Sequence, residues 1–160
     1  MIILSLDTKK CMSSLLLKPD FDHFSLIEGE ITTYNKFSID GFLHKDFYEE
    51  APDHEYSYWK ELREYCFSLI RGKRTPLNFK FVFSLASEDF AAFLKERDLT
   101  FRAEDIQGMS LNFRYDGTRL SCVTGTSMKT FTMDKSLEQA WDGYVKGLFD
   151  KFGIGFECEA

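Results

Sequence analysis

Cysteine, proline and histidine are all scarce in this chain. It holds four cysteines, three prolines and three histidines in 160 residues. Cys11, Cys66, Cys122 and Cys158 stand far apart, with no pair at the two-residue spacing of a zinc or dithiol redox motif. That pattern excludes such a motif and predicts reduced, mostly buried thiols. His23, His44 and His54 fall in different segments with no partner four residues away, so no metal site is expected. No Gly-x-Ser-x-Gly nucleophile motif occurs. Gly72-Lys73-Arg74-Thr75 lacks the first glycine of a phosphate-binding loop and its loop-to-helix setting. No catalytic residue and no cofactor are assigned from the sequence. Long apolar runs are missing too: nothing nears the roughly 20 residues of a membrane helix. The apolar start, Met1 to Leu6, is too short for a signal core and lacks a basic lead. The expectation is a cytoplasmic protein with no membrane partner. Positive charge is also in the minority, 20 Lys and Arg against 26 Asp and Glu, for a net charge of −6. This excludes a surface that grips nucleic acid all over and leaves room only for a local basic patch.

What the chain does have is apolar and aromatic. Hydrophobic residues make up 44%, aromatic residues 16%, and there are 17 phenylalanines. At this length roughly two-thirds of the unfolded surface can be buried, enough for a single domain over 1–160 without disulfides or metals.

Periodicity divides the chain into alternating strands and helices. Residues 1 to 6 read as a strand, and Asp7 or Thr8 can cap a helix over 8–17 that Pro19 stops. Extended runs follow from Phe24 to Thr33 and through Phe37, Ile39 and Phe42, with a turn signal at Asp40-Gly41. An acidic loop over 46–54 leads to a helix from Tyr56 to Ile70, with Trp59, Leu62, Cys66, Leu69 and Ile70 on one face and Gly72 as its stop. Then the order recurs. A strand over Asn78 to Leu85 puts Phe79, Phe81 and Phe83 on one face, and Ser87 is placed to cap a helix whose first turn holds Glu88 and Asp89. Extended residues around Met109 to Tyr115 return through the hairpin dipeptide Asp116-Gly117 into Leu120 to Val123, and continue through Lys129, Phe131 and Met133. A last helix runs from Ser136 to about Phe152, before Gly153.

The two halves, about 1–72 and 76–153, keep a nearly constant register. Thr8 aligns with Ser87, Gly29 with Gly108, Asp40-Gly41 with Asp116-Gly117, and Trp59 with Trp141. The fold class this predicts is α+β. Two strand-helix-strand-strand-helix halves form a mainly antiparallel sheet with helices packed on it.

Candidate binding residues are few. Arg71, Lys73 and Arg74, with Lys80 nearby, form the one basic cluster, where a helix ends and a strand begins. They suit the negative end of the helix dipole and equally a phosphate. A second group is the hydroxyl-rich Thr124-Gly125-Thr126-Ser127 with Lys129, near Arg114 and Arg119 of the hairpin. It reads as an anion-holding loop or as a turn between strands. The acids Asp20, Asp22, Glu28 and Glu30 read as a solvated face, and the helical tyrosines and tryptophans as core.

The segments Ile-Glu-Gly-Glu-Ile-Thr-Thr-Tyr-Asn (27–35), Arg-Gly-Lys-Arg-Thr-Pro (71–76), Asn-Phe-Arg-Tyr-Asp-Gly-Thr (112–118) and Thr-Gly-Thr-Ser-Met-Lys-Thr-Phe (124–131) carry a resemblance. Through them the chain resembles, over nearly its whole length, a domain family of unknown function from anaerobic Gram-positive bacteria. That likeness implies no activity. The run from Phe79 through the Ser87 helix to the hairpin and Phe131 also looks like the duplicated strand-helix-three-strand unit of DNA sliding clamps. It implies docking on DNA or on replication and repair proteins. Where clamp helices facing DNA are basic, the Ser87 helix carries Glu88, Asp89 and Glu96, and only Lys9, Lys10 and Lys18 of the first helix match that pattern.

The reading that follows is a non-enzymatic intracellular binding or scaffold domain with a protein or nucleic-acid partner. The alternative is an enzyme or small-ligand protein with a cleft between the halves, lined by 112–119 and 124–129.

Overall fold

Alternation of phenylalanine with polar or β-branched residues in Asn-Phe-Lys-Phe-Val-Phe-Ser makes a strand with one greasy face, and that strand lies near the middle of the sheet in the computed structural model. The structure describes residues 1–72 and 74–159. In chain order the elements are β1 (Ile3–Leu6), α1 (Thr8–Leu16), β2 (Ser25–Thr32), β3 (Lys36–Asp40), α2 (Trp59–Ile70), β4 (Asn78–Ser84), α3 (Phe90–Glu96), β5 (Ile106–Tyr115), β6 (Leu120–Met128), α4 (Ser136–Lys151) and β7 (Phe156–Cys158). The α+β class read from periodicity is the class observed.

Seven strands form one sheet in the order β3-β2-β4-β5-β6-β1-β7, and every neighbouring pair is antiparallel. The sheet has two ends. At the hairpin end the β2–β3 and β5–β6 turns lie beside the finish of α2 and α4 and the start of β4. At the loop end lie the long connections 41–58, 85–105 and 129–135.

One face of the sheet carries the core. Phe79, Phe81 and Phe83 of β4 stand in register with Tyr115, Phe113 and Leu111 of β5, and Cys122 and Leu120 of β6 extend the rows to Leu4 and Leu6 of β1. All are buried, together with Leu15 of α1, Trp59 of α2, Phe93 of α3 and Trp141 of α4. Each such side chain contributes about 1.5–3 kcal/mol when removed from water. The indoles are also satisfied as donors. Trp59 Nε1 donates to the Leu15 carbonyl at 2.7 Å and Trp141 Nε1 to that of Ser110 at 2.9 Å, as buried tryptophan requires. The other face is polar and has no helix on it. Lys80, Val82, Asn112, Arg114 and Ser121 lie there, half-buried or exposed.

Local signals explain most element ends. Asp7 Oδ1 accepts from the Lys10 amide at 3.1 Å and opens α1, and Asp134 does the same for the Ser136 amide at 2.9 Å before α4. Gly153, at φ +71°, ends α4 in the left-handed region. Five local expectations are corrected. Gly72 is not the stop of α2: the chain turns extended at Arg71, whose amide still bonds the Phe67 carbonyl at 2.8 Å. Ser87 caps nothing, because residues 87–89 form a 3-10 turn in which the Asp89 amide bonds the Ala86 carbonyl. Asp40-Gly41 is the end of β3 and not a hairpin. The β2–β3 turn is made by residues 33–35, and a Cβ on Gly41 would lie 1.7 Å from the Leu26 carbonyl oxygen. Thr124 to Ser127 is not a loop but the second half of β6, each residue paired with β5. Finally, the extended run after it stops at Met128. Phe131 and Met133 sit in an irregular connection, 91% and 83% exposed.

The order strand, helix, two strands, helix does occur twice along the chain. The first strands of the two runs are placed differently, however: β4 lies beside β5, whereas β1 lies beside β6, four strands away from β2.

Candidate functional site

Antiparallel pairing brings sequence-distant cations to the hairpin end. Arg71 follows α2, Arg74 lies in the link to β4, Arg114 is near the end of β5, and Arg119 immediately precedes β6. Lys73 lies outside the described residues. Lys129 is at the opposite end, where its amide bonds the Asp105 carbonyl at 2.8 Å. Of the residues the sequence singled out, four therefore share one end and Lys129 does not. Lys80 joins the four, because β4 places it directly opposite Arg114. Two like charges facing across a strand pair cost a few tenths of a kcal/mol to about 1 kcal/mol. Lys80 Nζ leans to Glu28 Oε1 at 3.0 Å, and Arg119 reaches Glu159 at 3.8 Å. Among the described residues no carboxylate comes within 4 Å of Arg71, Arg74 or Arg114.

Three concavities run along this end. The largest, about 560 Å³, is bounded by the β2–β3 turn and residues 69–77. Leu69, Ile70 and Leu77 are its apolar lining, with Arg71, Arg74 and Tyr34 beside them. The next, about 360 Å³, holds Lys80 and Arg114 together with Glu30 and Asp116, and a third of about 130 Å³ holds Arg114 and Arg119 together with Asp116 and Glu159. The walls are tied together. The Leu77 amide bonds the Thr32 carbonyl at 2.9 Å, and Gly117, at φ +98°, packs so close that a Cβ there would sit 2.9 Å from the Leu77 carbonyl oxygen. Asp116 closes the hairpin by accepting from the amides of Arg119 and Thr118, which hold its carboxyl below the usual range.

The loop end is acidic and aromatic. Asp46, Glu49, Glu50, Asp53, Glu55, Glu88, Asp89 and Glu104 are exposed there. The His54 ring stacks on Tyr58 with centroids 4.4 Å apart, and the Tyr58 hydroxyl donates to Glu88. That bond, followed by partial burial, pushes the Tyr58 phenol up to about 12. His54 Nδ1 lies 3.3 Å from Asp53, while its Nε2 is buried without a partner among the described residues. A recess of about 80 Å³ beside it is lined by Ser25, Ser84, Ser87 and Glu88 and by the two bulge residues Ile27 and Gln107. Sequence reasoning missed this group because 30 residues separate Tyr58 from Glu88; only the histidine-tyrosine spacing could have signalled it. His23 lies beside Asp89, and His44 meets the Phe42 ring. No three metal-ligating side chains converge among the described residues.

Other candidates serve the fold. Thr124 accepts from the Ile2 amide at 2.9 Å and donates to Asp142 at 2.5 Å, which fastens β1 to α4. Asp22 is buried in a bidentate pair with Arg63, at 2.9 and 3.2 Å. Cys11, Cys66 and Cys122 are buried unpaired thiols and Cys158 an exposed one. Burial pushes Cys66 up to about 12 and raises Cys11 and Cys122 as well, so none of these three is a thiolate near neutrality.

A seven-stranded antiparallel sheet with four helices, and cations gathered at one end, defines an α+β domain. The chain belongs to DUF5721, a family of unknown function, whose model matches residues 14–157. No curated protein and no solved structure matches it. No helix among the described residues is long and apolar enough to cross a membrane.

Proposed function

We propose that this protein is a non-enzymatic binding domain that takes nucleic acid across the hairpin end of its sheet. The observation that carries the reading is the gathering of Arg71, Arg74, Lys80, Arg114 and Arg119 at one end, with Lys80 and Arg114 in direct cross-strand opposition. Glu28 partners Lys80 and Glu30 stands opposite it on β2, whereas Arg114 has no carboxylate within 4 Å among the described residues, and a phosphate there supplies the missing counter-charge. The net charge of −6 does not oppose this, because the acids crowd the other end. Segregated charge of this kind orients a polyanion towards the basic end.

A clamp-like mode fits the same reading. Lys9 and Lys10 begin α1 at the hairpin end. Internal duplication is supported by the β-bulges at Ile27 and Gln107, which fall 80 residues apart in β2 and β5, and by the paired positions of Trp59 and Trp141. The unpaired buried thiols suit a reducing bacterial cytoplasm.

The test is fluorescence anisotropy of a labelled oligonucleotide titrated with the protein at a series of salt concentrations. Binding at low salt is expected, with a log–log salt slope that falls by roughly 0.7–0.9 for each of Arg71, Arg74 and Arg114 replaced by Ala. A parent protein that leaves the probe untouched at low salt removes the proposal. The second reading, a small-ligand or enzymatic site, is favoured by one observation: His54 Nε2, unpartnered beside the serine- and glutamate-lined recess. A His54→Ala loss of a ligand-induced thermal shift would turn attention there.

A further inference from the structure

The charged end accounts for attraction to a backbone, but not for the largest concavity, whose lining is mainly apolar. Its volume of about 560 Å³ lies within the roughly 300–1,000 Å³ range of ligand clefts. Phosphate alone has no use for Leu69, Ile70 and Leu77. At the mouth stands Tyr34, 88% exposed at the β2–β3 turn, and Leu77 across from it is 63% exposed. Large side chains left this open forgo burial energy, and Tyr34 has an aromatic neighbour. Phe37 of β3 meets its ring at 6.3 Å and 90°, an edge-to-face contact that steadies the ring without covering it. The turn beneath it is closed by the Thr33 amide on the Asn35 carbonyl at 2.9 Å. The facing wall is tied to the sheet, because the Leu77 amide bonds the Thr32 carbonyl and Gly117 packs against the Leu77 backbone. The result is a cleft lined by an aromatic ring, three aliphatic side chains and two arginines.

We infer that this slot is a pocket for one unpaired nucleotide, the base against Tyr34 and Leu77 and its phosphate at Arg71 and Arg74, so that the hairpin end selects single strands over duplex. The inference rests on the nucleic-acid reading above and deepens it. The chemistry is that of single-strand recognition in general: a π-face stacks on any unpaired base, and a guanidinium tracks the phosphate. In a duplex both faces of each internal base are already stacked, so Tyr34 has nothing to meet there. The apolar floor explains why arginines alone do not complete the site. Planar aromatic acids share this chemistry with nucleotides, and the experiment separates them.

Anisotropy is measured with a labelled oligothymidine and with a duplex of equal length, for the parent, Tyr34→Ala, Tyr34→Phe and the double variant Arg71→Ala/Arg74→Ala. The parent should bind the single strand more tightly than the duplex. Tyr34→Ala should weaken the single strand roughly five- to hundred-fold, the range of one lost base stack, and leave the duplex unchanged. Tyr34→Phe should keep parental affinity because the ring face survives, and the arginine double variant should weaken both probes. Thymidine monophosphate should compete where inorganic phosphate does not. Tyr34 is a surface side chain, so a thermal melt should be the same in parent and variants, which separates lost binding from lost folding. Equal affinity for the two probes together with indifference to Tyr34→Ala overturns the pocket while the nucleic-acid reading stands. Binding of the monophosphate with no binding of either oligonucleotide overturns both and leaves a small-molecule cleft.

Discussion

The two ends of the sheet are built from the same antiparallel strands and differ in almost everything else. The hairpin end is made of tight turns, its cations outnumber its acids, and Arg71, Arg74 and Arg114 carry no ion pair among the described residues. The loop end is made of long connections and carries most of the exposed acids, and its aromatic groups are bonded to one another: His54 on Tyr58, and Tyr58 to Glu88. Arg71 and Arg74 lie in the 71–77 connection and Arg114 on β5, and none of the three has a carboxylate within 4 Å among the described residues. Long loops can fold back on themselves, and here they do. The difference teaches where to look for binding and where to look for stability.

The comparison can be broken at its glycines, which carry the largest expected effect. Gly41→Ala at the loop end drives a methyl into the Leu26 backbone at 1.7 Å and should cost more than about 4 kcal/mol. Gly117→Ala at the hairpin end meets the Leu77 oxygen at 2.9 Å from a positive φ and should cost about 1–3 kcal/mol. Urea unfolding of both variants ranks the ends, and equal losses would erase the contrast. Next comes the buried pair near the loop end. Asp22→Asn leaves Arg63 half-partnered and should lose about 2 kcal/mol by the same assay, less than a fully buried pair because Arg63 reaches solvent. A variant as stable as the parent would show that this ion pair adds nothing.

Arg114→Gln should act in the opposite sense. It removes one of two opposed cations, so stability should hold or rise by up to about 0.5 kcal/mol while oligonucleotide affinity falls. A fall in stability would mean that Arg114 packs rather than repels. The smallest effect belongs to Tyr58. Its folded-state pKa of about 12 exceeds the unfolded value near 10, so its contribution is fully present below about pH 10 and is lost as pH rises through 12. Tyr58→Phe should remove that alkaline dependence and little else, because the bond it deletes, to Glu88, is solvent-exposed and the ring that packs on His54 is kept. Thermal melts between pH 9 and about 12 read it, and an unchanged profile in the variant assigns the dependence to another group.

How much was legible in the sequence depended on whether the signal was local. The β4 strand could be read because Phe79, Phe81 and Phe83 repeat every second residue, and α2 and α4 because Trp59 and Trp141 belong to apolar faces of helical period. The turn at Asp116-Gly117 could be read because its chemistry is local: Asp116 accepts from the amides of Thr118 and Arg119, and Gly117 takes the positive φ. Asp40-Gly41 has the same letters and became a strand end, because Gly41 is there for close approach to Leu26 and not for a turn. Thr124 to Ser127 looked like a loop since small hydroxyl residues satisfy turns as well as strands; pairing with β5 decided it. Of the candidate site, Arg71 and Arg74 stood out by proximity. Arg114 and Arg119 are candidates through the hydroxyl-rich segment beside them, but no local pattern joins them to Arg71 and Arg74 or marks Tyr34 as part of the same end.

The amino-acid sequence by itself determined the class of fold, most elements and the buried face of each, because these follow from periodicity and composition over a few neighbouring residues. Only the tertiary structure decided that β1 crosses to lie between β6 and β7, that Lys80 faces Arg114, and that Tyr34, Leu77 and Arg71 share one cleft. Those relations join residues tens of positions apart. They are set by which strand edges meet when the phenylalanine face closes under its helices, a balance of whole-sheet burial that no local pattern records.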